Sequence, residues 1–470
     1  MIIASMGVVT VGIATRYLGL EAFGALAAAT AFATTVSILT DVGLGSIGAR
    51  EISKRPDDTQ RIVGSLFTIG LMLSLFAAAV AIAVVFLIYP GDENELIRRG
   101  VFFLIVTLPL SAPFGAASAY FIAQQQAYMG MFGSVLGSSI TLAGIGLTAT
   151  FDWGFDGVLI AYVVASVAQG VLMIALVRGK VRLIPNLELA LGRRLLLWAL
   201  PLGGTLLVHS IYWRVDLIML SVLDSKAEVG LYGLSFRVLD AVVALPAFVT
   251  ITLMPEFARL AEQPERFDEI MQKAFSAIQV ATVALFVLFV AYASEITRIA
   301  GGDDFAGAAS VLQILAGAVL FTYFGSVFLQ AFIARDRQSQ LFWVSLGALP
   351  LNIVLNLVLI PPLGADGAAL AFAISEGAVI LAVGVLYRRF ASFPRPHRPI
   401  RVLLAAAAMA AVASLKLIPG TDVAGPVPVL LLGAGLSLAT YVGCLYALRA
   451  MPHEVHTSLV APVLARLRPR

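Results

Sequence analysis

The chain alternates between long apolar runs and short polar breaks. Most runs hold about 20 residues, the length that an α-helix needs to cross roughly 30 Å of hydrocarbon. They lack the strict alternation of barrel strands, and backbone groups in lipid must hydrogen-bond within their own segment, so each run is expected to be a helix. The pattern predicts about 14 transmembrane helices, at residues 1–15, 22–47, 62–89, 99–123, 130–150, 157–177, 195–221, 228–255, 274–292, 306–333, 339–361, 367–387, 401–418 and 426–448. The predicted fold class is an all-α polytopic membrane protein.

Composition agrees with this interpretation. The 470 residues are 60% hydrophobic and 13% charged, and the mean hydropathy is +0.95, which excludes an ordinary soluble domain. The single cysteine, Cys444, excludes an internal disulfide and is interpreted as a small core residue. The first run lacks a basic region and a cleavage site, so it is not a signal peptide. Because it is short before Arg16, we expect a tilted helix or a true start upstream of Met1.

The positions of the basic residues fix the direction of the helices. The breaks after even-numbered helices, counting the tail, hold 23 of the 31 lysine and arginine residues, whereas the breaks after odd-numbered helices hold six. By the positive-inside bias, the even breaks and both termini are expected to face the cytoplasm. The basic stretch 388–401 fits the same role and contact with anionic lipid better than nucleic-acid binding.

The loops leave no room for a catalytic domain, because the longest break has around 18 residues. Acids, histidines and serines do not form a catalytic arrangement along the chain. Only His453 and His456 approach a ligand spacing, and the other two histidines, His209 and His397, are far from them. We therefore expect a protein that is not an enzyme and that holds no metal or cofactor.

The chain contains an internal repeat. GFDGVLIAYVVAS at 154–166 returns as GADGAALAFAISE at 364–376, and FIA at 121–123 returns at 332–334. EAFGALAAATAF at 21–32 weakly echoes the segment that begins at Ala227. Each copy spans six predicted helices, and an even number preserves orientation, so the halves are expected to be a parallel repeat around a central cavity, as in many transporters.

This repeat predicts the domain organisation. Two six-helix lobes are expected, followed by two extra C-terminal helices outside the repeat and a polar tail. The predicted ranges are an N-terminal lobe at 1–177, a C-terminal lobe at 195–390, helices 13 and 14 within 400–450, and a cytoplasmic tail at 451–470.

Four charged residues fall within two adjacent predicted helices. Arg214 and Asp216 lie in the seventh, and Arg237 and Asp240 lie in the eighth, with Arg237 about 15 Å from the helix start. A charge at a helix centre costs roughly 2.5–3.5 kcal/mol on insertion scales, so these residues imply pairing or a hydrated cavity. One interpretation is a clamp that joins Arg214 to Asp240 or Arg237 to Asp216. The other is a cationic site for an anionic headgroup, since guanidinium suits phosphate oxygens.

Other polar residues in apolar runs have competing interpretations. Glu376 stands where the first repeat copy has Ser166, so it is an acquired charge that would either couple to H⁺ or Na⁺ or pair with an arginine. Asp41 lies near a helix end, where capping or pairing with Arg50 is favoured over ion coupling. Asn352 and Asn356 are four residues apart and are interpreted as interhelical contacts. The prolines of the seventh and eighth helices are expected to kink them, at Pro201, Pro246 and Pro255.

Three stretches resemble one known family. They are YLGLEAFGALAAATAFATTVSILTDVGLGSIGAREIS, then RVDLIMLSVLDSKAEVGLYGLSFRV with MPEFARL, and LNIVLNLVLIPPLGADGAALAFAISE. These resemble the oligosaccharide flippases, which belong to a superfamily with the multidrug extruders and the peptidoglycan-precursor flippases. The resemblance covers about residues 10–390. It implies a flippase that moves an undecaprenyl-diphosphate-linked oligosaccharide from the cytoplasmic to the periplasmic leaflet of the bacterial inner membrane, by alternating access, during cell-surface polysaccharide biosynthesis.

On this resemblance, each candidate residue receives a role. Arg214 and Arg237 would hold the diphosphate. Sugar contacts would come from aromatic and amide side chains, namely Tyr212, Trp213, Tyr232, Gln330 and Asn352. H⁺ or Na⁺ would couple at acids, namely Asp216, Asp240, Glu376 and Asp41. The expected partners are the lipid-linked substrate, membrane lipids and a polysaccharide polymerase, with no nucleic acid.

The sequence departs from the family in two respects: its first helix begins late, and its first lobe has no mid-membrane arginine. Two rivals remain open. One is a cation-coupled exporter of drugs or metabolites from the same superfamily, in which acids would matter more than arginines. The other is a membrane enzyme of glycan assembly, which would require a long periplasmic loop.

Overall fold

The computed structural model describes residues 2–186, 188–417 and 425–452 of the chain. These ranges form helices joined by short turns and contain no β-strand. The α-helices are α1 Ile2–Asp41, α2 Leu44–Lys54, α3 Thr59–Ile88, α4 Glu95–Leu110, α5 Ala112–Ala123, α6 Tyr128–Phe151, α7 Gly154–Val177, α8 Leu189–Leu223, α9 Lys226–Leu260, α10 Pro264–Gly301, α11 Ala308–Ala334, α12 Gln338–Tyr387, α13 Pro399–Ser414, α14 Pro426–Pro428 and α15 Ala434–Ala447. The prediction of an all-α membrane protein is confirmed.

Some of the apolar helical stretches are longer than one membrane crossing requires. Within the described ranges, nine helical stretches are long and apolar enough to cross a membrane, or ten with one bent pair. Two of these stretches have 50 residues each, which is about 75 Å of helix and more than twice the thickness of the hydrocarbon. The first is interrupted at Gly19 and the second at Gly364, near the breaks that the sequence predicted.

Three predicted helices differ from those found. The predicted span 99–123 is broken into α4 and α5, which are bent by 42°. Pro109 and Pro113 flank this bend, and neither can donate the backbone hydrogen bond that a continuous helix requires. The predicted span 22–47 ends at Asp41 because Val42 and Gly43 have positive φ, and α2 follows as a separate helix. The predicted span 426–448 is interrupted by a π-helical turn at Val429–Gly433, between α14 and α15.

The chain forms two compact units, Met1–Gly233 and Leu234–Arg470. This division by packing places α8 in the first unit, and the two six-helix lobes stay a prediction. One core of the first unit joins α2, α3, α5 and α7 to the start of α8, through buried side chains that include Ile52, Val63, Phe121, Val177 and Leu195.

The segment 178–188, between α7 and α8, lies against α3. Gln60 on α3 exchanges two hydrogen bonds with the backbone of Arg182, at 2.7 and 2.8 Å. Arg61 forms a bidentate ion pair with Glu188. The hydrogen bonds from that guanidinium hold the pKa of the half-buried Glu188 carboxyl below its usual range. These contacts keep the most basic loop of the first unit close to the helix ends.

The repeat has a structural counterpart in a pair of glycine turns. Gly154 and Gly364 occupy the same position of the repeated motif, and both have positive φ, at 69° and 56°. This conformation favours glycine and turns the chain from one helix into the next. The second glycine of each motif allows close packing, because a Cβ at Gly157 or Gly367 would collide with the end of the preceding helix. The duplicated sequence therefore encodes the same helix connection twice.

A second pair of equivalent glycines lies where α1 crosses the start of α9, inside the first unit. A Cβ at Gly24 would collide with the carbonyl of Lys226, and a Cβ at Gly230 would approach the carbonyl of Leu20 to 2.6 Å. Gly24 corresponds to Gly230 at an offset of 206 residues, and Leu20 corresponds to Lys226 at the same offset. The crossing is thus locally symmetric, and it brings the weakly similar segments of the two repeat copies together through small residues.

The second unit includes the helices outside the repeat. α13 and α15 pack on α10 through a core that includes Val280, Val402, Met409 and Leu445. Lys416, just after α13, donates to both carboxylate oxygens of Glu295 on α10 at 2.7 Å. Both side chains are largely buried, so each partner compensates the desolvation of the other.

Candidate substrate and ion sites

In the first unit, the candidate residues occupy successive turns of α8. Arg214 lies nine residues before the helix end, about 14 Å along the axis. Its side chain is half-buried, whereas Asp216 is only 1% exposed. On the preceding turn, the rings of His209 and Trp213 are 5.8 Å apart. Because successive positions of a helix point in different directions, α8 carries a cation and an anion on different faces.

In the second unit, Arg237 lies eleven residues after the start of α9, about 16 Å along the axis. Its side chain is exposed, and no hydrogen bond or ion pair joins it to any residue in the described part of the chain. Asp240, one turn later, is half-buried. Within the predicted span 228–255, an exposed guanidinium would be costly in lipid unless water or an anionic ligand solvated it.

A proline on α9 is compensated by a tyrosine on α11. Pro246 has no N–H group, so the carbonyl of Val242 loses its normal helical partner. The hydroxyl of Tyr323 donates to that carbonyl at 2.8 Å. This contact holds α11 against α9 two residues after Asp240. It also gives a hydrogen bond to a backbone carbonyl that lipid could not satisfy.

Glu376 on α12 contacts Thr322 on α11. The Glu376 Oε2 atom lies 2.9 Å from the Thr322 hydroxyl, and the same hydroxyl lies 2.9 Å from the carbonyl of Ala318. A threonine hydroxyl has one proton to donate. The hydroxyl can therefore donate to only one of these two acceptors at a time. Glu376 is only 8% exposed, so protein surrounds its carboxyl group in this conformation.

The two asparagines of α12 contact each other. Asn356 Nδ2 donates to the backbone carbonyl and the side-chain carbonyl of Asn352, both at 3.0 Å, and both residues are fully buried. Three other residues predicted to contact sugar are also buried, namely Tyr212, Tyr232 and Gln330. Trp213 is the half-buried member of this predicted set. In this conformation most of the predicted sugar contacts are covered by protein.

Asp41 caps a helix. Its carboxylate accepts a hydrogen bond from the N–H group of Gly45 at 2.9 Å, in the first turn of α2. The capping interpretation is confirmed, and the alternative partner Arg50 instead lies 3.2 Å from Glu51. Asp41 has therefore a structural role that does not require ion coupling.

Sequence reasoning did not identify Thr322 or Tyr323. Both are polar groups in the middle of an apolar run, which was the available signal, but their importance comes from partners on other helices. No group of three or more histidine, cysteine, aspartate and glutamate side chains in the described ranges could hold a metal ion. His453 and His456 lie outside these ranges.

The fold defines the class of protein. It is similar to the solved structure "Lipid II flippase MurJ, inward closed conformation", with a TM-score of 0.80 and 13% identity over 95% of this chain and 97% of that chain. It is also similar to an inward-facing multidrug resistance MATE transporter of the MOP superfamily, with a TM-score of 0.69 and 14% identity over 82% of this chain and 94% of that one. At these identities the likeness shows the fold alone, an all-α arrangement that the chain shares with both structures.

Sequence comparison then gives the family. Residues 1–261 match the family described as "Polysaccharide biosynthesis protein", and the chain belongs to that family. Two relatives from Haloferax volcanii are similar: "Probable flippase AglR", 27% identical, and "Probable low-salt glycan biosynthesis flippase Agl15", 23% identical. These matches cover 43% and 35% of this chain and the same shares of the two relatives. The family resemblance noted from the sequence is confirmed.

Proposed function

We propose that this protein is a flippase that moves a lipid-linked oligosaccharide from the cytoplasmic to the periplasmic leaflet. The carrier is undecaprenyl diphosphate, the membrane is the bacterial inner membrane, and both chain termini lie in the cytoplasm. The observation that carries the proposal is the exposed guanidinium of Arg237 on α9, a helix that corresponds to the predicted span 228–255, in a chain of the polysaccharide biosynthesis family.

The chemistry of the substrate explains why such a cation would be retained. A lipid diphosphate carries negative charge that must leave water during translocation, and fixed guanidinium groups can replace water around its oxygens. Arg237 on α9 and Arg214 on α8 supply these groups near mid-membrane, while the isoprenoid tail stays in lipid. The short loops make a non-enzymatic transporter the better interpretation than a membrane enzyme of glycan assembly.

The buried candidates require a conformational change. Tyr212, Tyr232, Gln330 and Asn352 can contact sugar only after neighbouring helices separate. Alternating access supplies such a separation, because one group of helices rocks against another to expose the site to each side of the membrane in turn. In this account, the buried set becomes accessible in the substrate-loaded state, and a polymerase then uses the translocated glycan.

The direct test is a vesicle assay with the purified full chain. Vesicles carry a fluorescent polyprenyl-diphosphate oligosaccharide, and an impermeant quencher reports its arrival at the outer leaflet. We expect protein-containing vesicles to equilibrate the label between leaflets much faster than protein-free vesicles, and to leave the same glycan without its lipid untouched. Equal rates with and without protein would contradict the proposed function. Release of lipid-free glycan or of a cationic drug would favour the exporter.

Ion coupling is proposed at Glu376. We expect Glu376→Gln, which mimics the protonated carboxyl, to abolish the acceleration of flipping by an imposed pH or sodium gradient. Glu376→Ser, which restores the residue of the first repeat copy, should do the same. Glu295→Gln is the control, because Glu295 is another acid of the same unit that is paired with Lys416. A gradient response that survives in both Glu376 variants would remove this residue from the coupling mechanism.

A further inference from the structure

A pocket lies at the predicted cytoplasmic ends of three helices of the second unit, away from the residues discussed above. It has a volume of about 670 Å³, within the usual range for ligand pockets. Its lining comes from the start of α10, the turn after α11 and the segment that follows α12. The charged residues of this lining are Asp268, Arg335, Arg388 and Arg389. Three cations and one anion make the pocket positive.

Arg335 is the unusual member of this lining. Its Nη1 atom lies 3.4 Å from the carbonyl of Phe390, but Nε and Nη2 are buried and have no hydrogen-bond partner among the described residues. Leaving a charged donor buried without a partner is unfavourable. The Nε and Nη2 atoms of Arg335, at the wall of a positive pocket, therefore lack the acceptors that their N–H groups require.

Aromatic rings hold this guanidinium in place. The Arg335 Cζ atom lies 4.2 Å from the centroid of Phe267 and 5.9 Å from that of Phe390. A second cation is arranged similarly, since Arg388 Cζ lies 4.9 Å from the centroid of Phe393. Stacking fixes the plane of a guanidinium, and the parallel N–H groups of a guanidinium match two oxygens of one phosphate.

Asp268, the acidic residue of the lining, already forms a hydrogen bond within the protein. Asp268 accepts a hydrogen bond from the backbone N–H of Ser392 at 3.3 Å, which ties the segment after α12 to α10. Its charge offsets one of the three arginines. The pocket thus suits a single phosphodiester better than a highly charged polyphosphate.

The location identifies the source of that phosphodiester. α10, α11 and α12 are all long and apolar enough to cross the membrane, and the pocket is lined by residues at one end of each of them. The three breaks concerned are among those that the distribution of basic residues assigns to the cytoplasm. Phosphodiester headgroups are concentrated at this level, and basic pockets between membrane helices on the cytoplasmic side suit anionic lipids.

We propose that this pocket binds the headgroup of an anionic phospholipid of the cytoplasmic leaflet, with Arg335 donating to its phosphodiester. Arg388 and Arg389 add positive charge at the mouth of the pocket, where both side chains are exposed. A bound lipid would link α10, α11 and the segment after α12. This role is separate from substrate transport and does not depend on the proposed function.

The test uses the purified full chain in nanodiscs of phosphatidylcholine with graded phosphatidylglycerol, and native mass spectrometry counts the phosphatidylglycerol molecules retained. We expect Arg335→Leu to weaken retention about fivefold, the effect of one basic residue near a charged lipid surface. The matched control is Arg259→Gln, which removes one charge from the same unit at a side chain that is 73% exposed and paired with Glu256. Retention by this control should equal that of the wild type.

A second variant keeps the proposal falsifiable if Arg335→Leu does not fold. Asp268→Asn removes the opposing charge and should strengthen phosphatidylglycerol retention. Unchanged retention in Asp268→Asn, or equal losses in Arg335→Leu and Arg259→Gln, would overturn the assignment. Millimolar inorganic phosphate should fail to displace the lipid. Efficient displacement would instead indicate a site for free anions and would also overturn the assignment to phospholipid.

Discussion

Replacing Arg237 by alanine should reduce export of the glycan by about 10- to 100-fold. The expected loss corresponds to one hydrogen-bonded charge contact of roughly 1.5–3 kcal/mol, at about 1.4 kcal/mol per tenfold change. Arg237 is exposed and makes no ion pair in the part of the chain that the structure describes, so its removal leaves no protein group unpaired. The measurement is the initial rate of flipping in vesicles, normalised to the amount of reconstituted protein.

Two companion variants separate this role from a general loss of charge. Arg237→Lys keeps the charge but not the planar pair of donors, and it should fall between the wild type and Arg237→Ala. Arg259→Ala removes an exposed arginine from the same helix and should flip at the wild-type rate. Because removing a charge from mid-membrane makes insertion easier, the abundance of Arg237→Ala should not fall. Normal flipping by Arg237→Ala would exclude the cationic site.

The second large effect is expected at the crossing of α1 and α9. Gly24→Ala places a methyl group against the carbonyl of Lys226, and Gly230→Ala places one against the carbonyl of Leu20. Overpacking of this kind typically costs about 1–3 kcal/mol, and backbone carbonyls cannot move aside as a flexible side chain would. We expect either variant to lower the midpoint of thermal unfolding, measured by intrinsic fluorescence in detergent.

The matched control is Gly146→Ala on α6, also in the first unit, where a Cβ would meet nothing within 4 Å. It should be neutral or slightly stabilising, because alanine favours helix over glycine by about 1 kcal/mol. The double variant Gly24→Ala/Gly230→Ala should cost less than the sum of the two single changes, since one separation of the helices relieves both collisions. Equal midpoints for Gly24→Ala and Gly146→Ala would show that the crossing is not tightly packed.

Hydropathy was sufficient to predict most helices, because the need for internal backbone hydrogen bonds in lipid leaves few alternatives to a helix. It was less successful where local chemistry interrupts an apolar run. The bend between α4 and α5 depends on Pro109 and Pro113, whereas Pro350 lies inside α12 at a point where the backbone stays helical. A proline changes the backbone hydrogen bonds that are possible, but the surrounding helices decide how far the chain bends.

For the candidate site as well, the sequence predicted the positions of the residues but not their contacts. The sequence placed Arg214, Arg237 and Glu376 near mid-membrane, because helix rise converts position into depth. It left open whether these charges were paired. The contact of Glu376 with Thr322, the hydrogen bonds between Asn356 and Asn352, and the capping role of Asp41 all depend on which atoms come within 3 Å.

By itself, the sequence determined the helical membrane class, the distribution of basic residues, the duplication and the position of each charged residue along its apolar run. Run length, residue type and the spacing of repeated glycines can all be read directly along the chain. Only the tertiary structure decided that Gly24 meets the start of α9, that Tyr323 satisfies the carbonyl freed by Pro246, and that two donors of Arg335 are buried without a partner. The physical reason is that apolar runs look alike on every face, so their pattern does not specify which face of one helix meets which face of another.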